Sequence, residues 1–459
     1  MLSIGALASA SQGASYYERD GYYAKDSEEH REASAWAGRG AEELGLKGPV
    51  DPGTFRAVLE GRVPDGSERQ LGRRGKDGEI LHRPGRDLTF SAPKSVSIAA
   101  LVGGDGRILE AHDRAVAATL AWIEKHAAET RMKSPDTGQM TRVGNQKIVA
   151  GTFRHDTSRN LDPQLHTHAV LANMVQGEDG KWRTMANDGL YAKQKLIGML
   201  YRSELAAGLS KLGYDIEKSH ADGRFEIAGV PRKAIAAFST RRAEIEAAME
   251  ARGLGASADN PRLAERAALM TRAAKRDIDR RELRGVWQHQ AADLGFDAKG
   301  LVAEAVERFA EPGRDRAAEP APPPGRVGRP EPQLAKGSGK LADAMRQAEL
   351  PLDGPDRATD CDATASAAPP SPASEAVAWA LAHLSEREAV FARTDLLAAA
   401  LAHAPGAVAI AEAEREVAAL EKAGTLHAVD IPGAESSLAT ERTVAEERET
   451  VALWRAGAG

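Results

Sequence analysis

The chain is poor in several features that mark other protein classes. It holds one cysteine in 459 residues, Cys361, which excludes an intramolecular disulfide framework and a cysteine-rich zinc site. No apolar run approaches the roughly 18 residues that a membrane span needs. The N-terminus lacks the basic start and the long apolar core of a signal peptide. These absences predict a cytoplasmic protein without membrane insertion.

An excess of positive charge is also missing, because the formal net charge is −6. Residues 375–459 hold 7 basic and 14 acidic side chains, so that the acidity belongs to this tail. The first 374 residues hold 54 basic and 53 acidic side chains and are nearly neutral. A neutral domain can still bind DNA when its basic residues line one groove, so charge alone decides nothing about nucleic-acid binding.

A complete phosphate-binding loop of the form G-x-x-x-x-G-K-[ST] is absent as well. The nearest match ends in Gly339-Lys340, but Leu341 follows where Ser or Thr is needed, and Leu334 replaces the leading glycine. We therefore expect chemistry that does not use ATP.

Proline is concentrated in one segment, which indicates the domain organisation. Residues 311–374 contain 12 of the 23 prolines, and such a composition predicts a flexible linker in which 341–350 forms at most one short helix. The 310 residues before the linker read as one α+β domain. Residues 375–459 read as a small, mainly helical domain with a short β element near 426–431.

Periodicity within the first domain predicts three strands and several helices. Turn residues at 157–163 join the last two strands into an antiparallel pair. The expected strands are 87–91, 147–153 and 165–175, and the expected helices are 111–129, 196–212 and most of 231–310. The last stretch carries a basic cluster that includes Arg272, Lys275 and Arg276, which is either a solvated helix face or an arm that clamps DNA.

Three histidines have the spacing of metal ligands. His166 and His168 are two apart on an expected strand and therefore point to one face, and His155 lies at the end of the partner strand. Three imidazoles could converge on one divalent cation and leave coordination positions open, as catalytic sites do. Asp87 could accept a hydrogen bond from one of them. The alternative at this point is that the three histidines bind no metal and only form ordinary hydrogen bonds.

Four of the seven tyrosines form two pairs near the N-terminus, Tyr16-Tyr17 and Tyr22-Tyr23. Polar and charged residues flank them, which favours exposure, and they serve either for packing and base stacking or as nucleophiles. A phenolate can attack a phosphodiester. Because the phenol pKa is ~10, a nearby cation would help by favouring the phenolate and neutralising the phosphate.

The combination of tyrosine pairs with a His-x-His strand resembles the HUH endonuclease superfamily, and most closely the MobF-class conjugative relaxases. Thr167 departs mildly from the hydrophobic middle residue of that motif. The resemblance covers about residues 1–230. It is carried by Ala14-Ser-Tyr-Tyr, Trp36-Ala-Gly-Arg-Gly, Leu59-Glu-Gly-Arg-Val-Pro-Asp-Gly, Asp87-Leu-Thr-Phe-Ser-Ala-Pro-Lys-Ser-Val-Ser, His155-Asp-Thr-Ser-Arg-Asn and Pro163-Gln-Leu-His-Thr-His-Ala-Val.

The resemblance implies a fold and a reaction. The fold is a palm-like antiparallel sheet with flanking helices, and residues 231–310 would form helical fingers over single-stranded DNA. The reaction is strand-specific nicking of plasmid oriT DNA by a tyrosine, which leaves a 5′-phosphotyrosine and a free 3′-hydroxyl, followed by rejoining. Relaxosome accessory proteins and a type IV secretion coupling protein are the implied partners.

The roles implied by the family fall on particular residues. Tyr16 matches the initiating nucleophile and Tyr22 the nucleophile of a second transfer, with Tyr17 and Tyr23 in support. Asp87 matches the carboxylate that orients a ligand histidine and assists proton removal. The metal ligands are His155, His166 and His168, and the expected DNA contacts are Lys94, Arg154, Arg159, Arg272, Lys275 and Arg276.

Several alternatives stay open. Family members usually continue into a helicase, so this chain is either a fragment or a short relaxase. The family's use of Mg²⁺ or Mn²⁺ competes with the preference of three imidazoles for Zn²⁺-like or Ni²⁺-like ions. A replication initiator or transposase of the same superfamily is the nearest rival function. A non-catalytic single-stranded DNA-binding module with a structural metal is a rival from another class.

Overall fold

The structure is a computed structural model that describes residues 2–11, 13, 34–134, 137–256, 263–264, 267, 280–310, 370–431 and 436–457. Every helix and strand given below belongs to one compact unit, which is formed by Met1–Glu319 and Pro372–Gly459. The short helix predicted for 341–350 lies outside the described residues.

Strands are short except for the two at the centre of the main sheet. They are β1 (Leu2–Ala6), β2 (Ser34–Ala37), β3 (Arg73–Arg74), β4 (Ile80–Leu81), β5 (Gly85–Ser91), β6 (Glu129–Lys133), β7 (Met140–Val143), β8 (Lys147–Thr157), β9 (Pro163–Gln176), β10 (Trp182–Arg183), β11 (Met185–Ala186), β12 (Ile216–Lys218), β13 (Phe225–Ile227), β14 (Phe391–Ala392), β15 (Leu426–Val429) and β16 (Ser437–Thr440).

Helices flank this sheet and form most of the remainder. They are α1 (Arg39–Glu43), α2 (Pro52–Leu59), α3 (Lys94–Leu101), α4 (Gly106–His126), α5 (Asp188–Ala192), α6 (Gln194–Lys211), α7 (Arg232–Ala237), α8 (Thr240–Glu250), α9 (Arg280–Asp293), α10 (Ala298–Ala310), α11 (Pro372–Ser385), α12 (Arg393–His403), α13 (Ile410–Lys422) and α14 (Glu441–Gly457). In the part of the chain that the structure describes, none of these helices has the length and apolarity to cross a membrane.

The main sheet is antiparallel and has the order β1-β5-β9-β8-β2, with β10 added to β9. Its back face, which includes Leu88, Phe90 and Leu165, packs against α4 and α6 in the largest apolar core. Its front face is covered in part by α2, where the rings of Phe55 and Phe153 meet edge to face with their centres 5.2 Å apart. The predicted α+β architecture with an antiparallel palm is confirmed.

Within the described residues, the predicted strands and helices are present with altered ends; in the predicted helical stretch 231–310, most of 257–279 lies outside those residues. The antiparallel pairing of β8 and β9 is confirmed, and both strands run further than their periodicity suggested. The helix predicted for 111–129 begins earlier and ends at His126, because Glu129 instead starts β6, which pairs with β7 and β11. Strand β7 is the next strand along the chain, but β11 is distant in sequence, so the pairing of β6 with β11 was not visible in local periodicity.

Candidate metal centre

Strand alternation brings the three histidines to one face of the sheet. His166 and His168 are half-buried on β9, and the residues between and beside them, Leu165, Thr167 and Ala169, are buried on the other face. His155 on β8 lies directly opposite His166 in the antiparallel register. Opposed residues of an antiparallel pair project to the same side. The β8–β9 hairpin therefore presents all three rings on the front face.

The imidazole rings converge closely enough to share one ion. Their possible ligand nitrogens all lie within 4.8 Å of one another. The ring centre of His155 is 4.9 Å from those of both His166 and His168, and the latter two are 5.3 Å apart. Three nitrogen ligands suit a divalent transition-metal ion and leave further positions for water or substrate.

Hydrogen bonds fix the orientation of two of these rings. His168 Nδ1 lies 2.8 Å from Asp87 Oδ2 and 2.9 Å from its Oδ1, so Nδ1–H donates to the carboxylate. His166 Nδ1 lies 2.9 Å from the carbonyl oxygen of Gln164 and donates to it. Both bonds leave Nε2 with its lone pair for a metal. Asp87 thus stands where an orienting carboxylate is needed.

A buried polar chain supports the same strand from behind. Thr167 Oγ1 is 2.8 Å from His112 Nε2 on α4, and His112 Nδ1 is 2.8 Å from the Tyr201 hydroxyl on α6. All three side chains are buried. Desolvation lowers the pKa of His112 to about 3 and raises the pKa of Tyr201, so both are neutral at physiological pH. Thr167 stands where the motif usually has a hydrophobic residue, and its hydroxyl is hydrogen-bonded to His112.

The predicted DNA-contacting residues occupy different surroundings. Lys94 is half-buried at the start of α3, where its Nζ donates to the carbonyl of Pro163 at 2.8 Å, and desolvation lowers its pKa to about 8. Arg154 is ion-paired with Asp113 of α4. Arg159 lies in the turn after β8. Of these three, only Lys94 and Arg159 adjoin the β8–β9 turn, and all three remain predicted rather than tested contacts.

Seven predicted site residues lie outside the described residues. They are Tyr16, Tyr17, Tyr22, Tyr23, Arg272, Lys275 and Arg276. Their roles therefore rest on sequence alone.

Sequence reasoning missed residues that support the site through long-range contacts. His112 and Tyr201 are 55 and 34 residues from Thr167 in sequence, and no local pattern joins them. Asp162 was also missed, although it is 6% exposed and accepts hydrogen bonds from Ser158 and Thr240. The available signal was a carboxylate placed between the two motif blocks at 155–160 and 163–170.

Comparison with known proteins places this geometry in a family. The family model described as TrwC relaxase matches residues 10–294. The multifunctional conjugation protein TraI of Escherichia coli strain K12 is 40% identical over 318 residues, which are 67% of this chain and 17% of TraI. This chain thus corresponds to under a fifth of the length of that relative.

Solved structures agree with the sequence comparison. Conjugative relaxase TrwC in complex with oriT DNA, in a metal-free structure, is 42% identical, with a TM-score of 0.58 over 65% of this chain and 100% of that chain. A metal-bound structure of the TrwC–oriT complex is 41% identical, with the same coverage and TM-score. The sheet order, the histidine triad and these matches together show that the chain belongs to the TrwC relaxase family.

Proposed function

We propose that this chain is a conjugative relaxase, which nicks one strand of oriT DNA by tyrosine transesterification and later rejoins it. The observation that carries the proposal is the triad of His155, His166 and His168 on the front face of the sheet, in which Asp87 orients His168. Relatives of this chain include TrwC, solved with oriT DNA in metal-free and metal-bound forms. A single strand of oriT DNA is accordingly the proposed substrate.

Tyr16 is the proposed nucleophile of the first cut. Its phenolic oxygen attacks the scissile phosphorus, a Tyr–phosphate bond forms, and the bond from phosphorus to the 3′ oxygen breaks. The phenolic proton leaves and the departing oxygen gains a proton to become a free 3′-hydroxyl. One phosphate ester replaces another, so the step needs no ATP and reverses when a 3′-hydroxyl attacks. Tyr22 is the proposed nucleophile for a second transfer, with Tyr17 and Tyr23 in support.

The histidine triad would hold one divalent ion beside the scissile phosphate. When bound, the ion supplies positive charge that favours the phenolate and stabilises the phosphate oxygens. Asp87 holds His168 with Nδ1 protonated, which keeps the Nε2 lone pair directed to the site. We propose Mg²⁺ or Mn²⁺ as the physiological ion and expect Zn²⁺ or Ni²⁺ to bind to the same nitrogens.

The proposed division of the chain assigns the reaction to residues 1–310. In this proposal residues 311–374 are a linker, and 375–459 form a small, mainly helical domain. Accessory proteins of the relaxosome and a secretion coupling protein, in the cytoplasm, are the proposed partners. They follow from the resemblance to conjugation proteins such as TraI.

A strand-exchange assay tests this function against its rivals. Two oriT oligonucleotides of different length, one labelled, are incubated with the chain and Mg²⁺ or Mn²⁺. We expect recombinant strands without ATP, a plateau short of completion, and no product with excess chelator. A non-catalytic DNA-binding module would give no exchanged strand. A replication initiator would cut its own origin but leave oriT intact.

A further inference from the structure

The turn at 158–162 is the short covalent link between two of the proposed metal ligands, His155 and His166. It closes on itself through Asp162: the Ser158 hydroxyl donates to Asp162 Oδ2 at 3.1 Å, and the Asp162 amide donates back to Ser158 Oγ at 3.1 Å. Leu161 adopts a left-handed backbone with φ of 63°, which a bulky side chain rarely does. Such a conformation persists only when neighbouring contacts hold it.

Helix α8 supplies one set of these contacts. Thr240, the first residue of the helix, donates its hydroxyl to Asp162 Oδ1 at 2.8 Å. The Arg241 amide donates to Asp162 Oδ2 at 3.3 Å. Asp162 thus accepts from the hairpin turn and from the helix at once, and its negative charge faces the positive end of the helix dipole.

Helix α9 supplies the second set. The buried Trp287 donates its indole N–H to the carbonyl oxygen of Leu161 at 2.9 Å. Arg280 pairs with Asp156 at 3.2 Å and donates to Thr157 Oγ1 at 3.4 Å. Both helices therefore contact the same turn: α8 is hydrogen-bonded to Asp162, and α9 contacts residues close to Asp162.

The strand ladder does not fix the end of β8 by itself. The register of β8 and β9 shifts between His155 and Thr157, so the regular pairing is broken immediately after the first ligand. On the other side of the turn, the backbone of Pro163 is held by Lys94. The position of His155 relative to His166 thus depends on how the turn between them is anchored.

We propose that Asp162 is a positioning residue for the metal centre: it ties helix α8 to the turn between His155 and His166, and helix α9 holds the residues beside it in the same turn. This inference rests on the proposed metal site. It implies that any ligand that displaces α8 or α9 changes the geometry and the metal affinity of the triad through this turn.

The test uses the 459-residue chain, Co²⁺ as a spectroscopic probe, and thermal melting as a check on folding. Asp162→Asn keeps the shape of the side chain and removes its charge and one acceptor. Thr240→Val and Trp287→Phe each remove one helix-to-turn hydrogen bond and leave Asp162 in place. Asp179→Asn is the matched control, because Asp179 bonds Arg183 in an exposed turn. His166→Ala, which removes one proposed ligand, shows the Co²⁺ signal without an intact triad.

We expect Asp162→Asn to weaken Co²⁺ binding about tenfold and to alter the visible absorption of the bound ion, as changes in groups that orient metal ligands do. Thr240→Val and Trp287→Phe should change the spectrum in the same direction by less, and Asp179→Asn should match the wild type. Unchanged affinity and spectrum in all three anchor variants would overturn the inference. If Asp162→Asn does not fold, the two helix variants decide. Failure of the wild type itself to bind Co²⁺ would instead refute the proposed metal site.

Discussion

His112 shows how a single buried residue can support a metal centre that it does not touch. It joins Thr167, which lies between two of the proposed ligands, to Tyr201 on the helix behind the sheet. Full burial favours its neutral form, and both ring nitrogens are hydrogen-bonded. Protonation would place an uncompensated charge in the core, which couples the stability of this region to pH.

Acid should therefore destabilise the chain partly through His112. Its pKa is about 3 in the folded chain, against an ordinary histidine pKa of 6.5, so the unfolded chain binds one more proton between these limits. The stabilisation is complete above pH 6.5 and is lost as the pH falls toward 3. We expect His112→Gln, which can keep both hydrogen bonds without titrating, to reduce the slope of unfolding free energy against pH by about 1.4 kcal/mol per unit between about pH 6 and 4. Equal slopes for both proteins in urea titrations would contradict this role.

The three ligand histidines should act as a unit. Because they would share one ion, replacing any one by Ala should lower divalent-ion affinity at least about tenfold and lower cleavage in parallel. Titration calorimetry with Mn²⁺ measures the affinity, and His220→Ala, at an exposed histidine that is not part of the triad, is the control. Wild-type affinity in all three single variants would show that the rings do not form one site.

At the scale of elements, Glu124 of α4 joins three parts of the domain. The residue is 4% exposed, and its carboxylate accepts hydrogen bonds from the Arg39 backbone and guanidinium at 2.9 and 2.8 Å, and from the Ile148 amide at 2.8 Å. The carboxylate thereby fixes the start of α1 and the start of β8 against the helix. Both amides would lose their partner if the carboxylate were removed.

We expect Glu124→Ala to lower the free energy of unfolding by about 2–4 kcal/mol, because the buried Ile148 amide and the part-buried Arg39 amide both lose their acceptor, while the Arg39 guanidinium, which is 46% exposed, can be solvated. Glu124→Gln should cost less, about 1–2 kcal/mol, since one oxygen remains as an acceptor. Glu110→Gln on the same helix breaks only an exposed pair with Arg114 and should change stability by less than about 1 kcal/mol. Urea unfolding measures all three, and a similar loss for Glu110→Gln and Glu124→Ala would contradict the anchoring role.

Local sequence patterns predicted part of the site, and contacts between residues distant in sequence account for the rest. Alternation along β9 was enough to put His166 and His168 on one face, because side-chain direction in a strand is a local property. The turn at 157–163 predicted the partner strand and hence His155. The end of α4 and the contacts of His112, Glu124 and Asp162 could not be predicted, since each depends on residues tens of positions away.

At the scale of the whole molecule, the C-terminal segment packs on the palm domain. Helix α12 lies against α6, the Ser203 hydroxyl donates to the carbonyl of Val408 at 3.1 Å, and the Gly406 amide donates to Ser203 Oγ at 3.1 Å. Gly406 has φ of 79°, and a Cβ there would lie 2.7 Å from the Ala207 nitrogen. Only glycine fits this close approach. The prediction that residues 1–310 cleave DNA alone remains open to test.

Gly406→Val should detach the C-terminal segment. The composition of residues 311–374 predicts that trypsin cuts there first. After cutting, wild-type fragments should co-elute in gel filtration, and those of Gly406→Val should separate. Gly424→Val is the control, because Gly424 has a similar φ of 77°, but a Cβ at that position would meet no atom of the described residues within 4 Å. Separation of the wild-type fragments would show that the packing is too weak to hold them.

The most direct test of the proposed function is the covalent adduct itself. A single-stranded oriT oligonucleotide, labelled downstream of the cut, is incubated with the chain and Mn²⁺, and the products are separated under denaturing conditions. The proposed function predicts a protein–DNA band that carries the 5′ end, that disappears with chelator, and that is lost in Tyr16→Phe while DNA binding stays near wild type. An adduct that forms at wild-type yield in Tyr16→Phe, that survives removal of the metal, or that carries the 3′ end would contradict it.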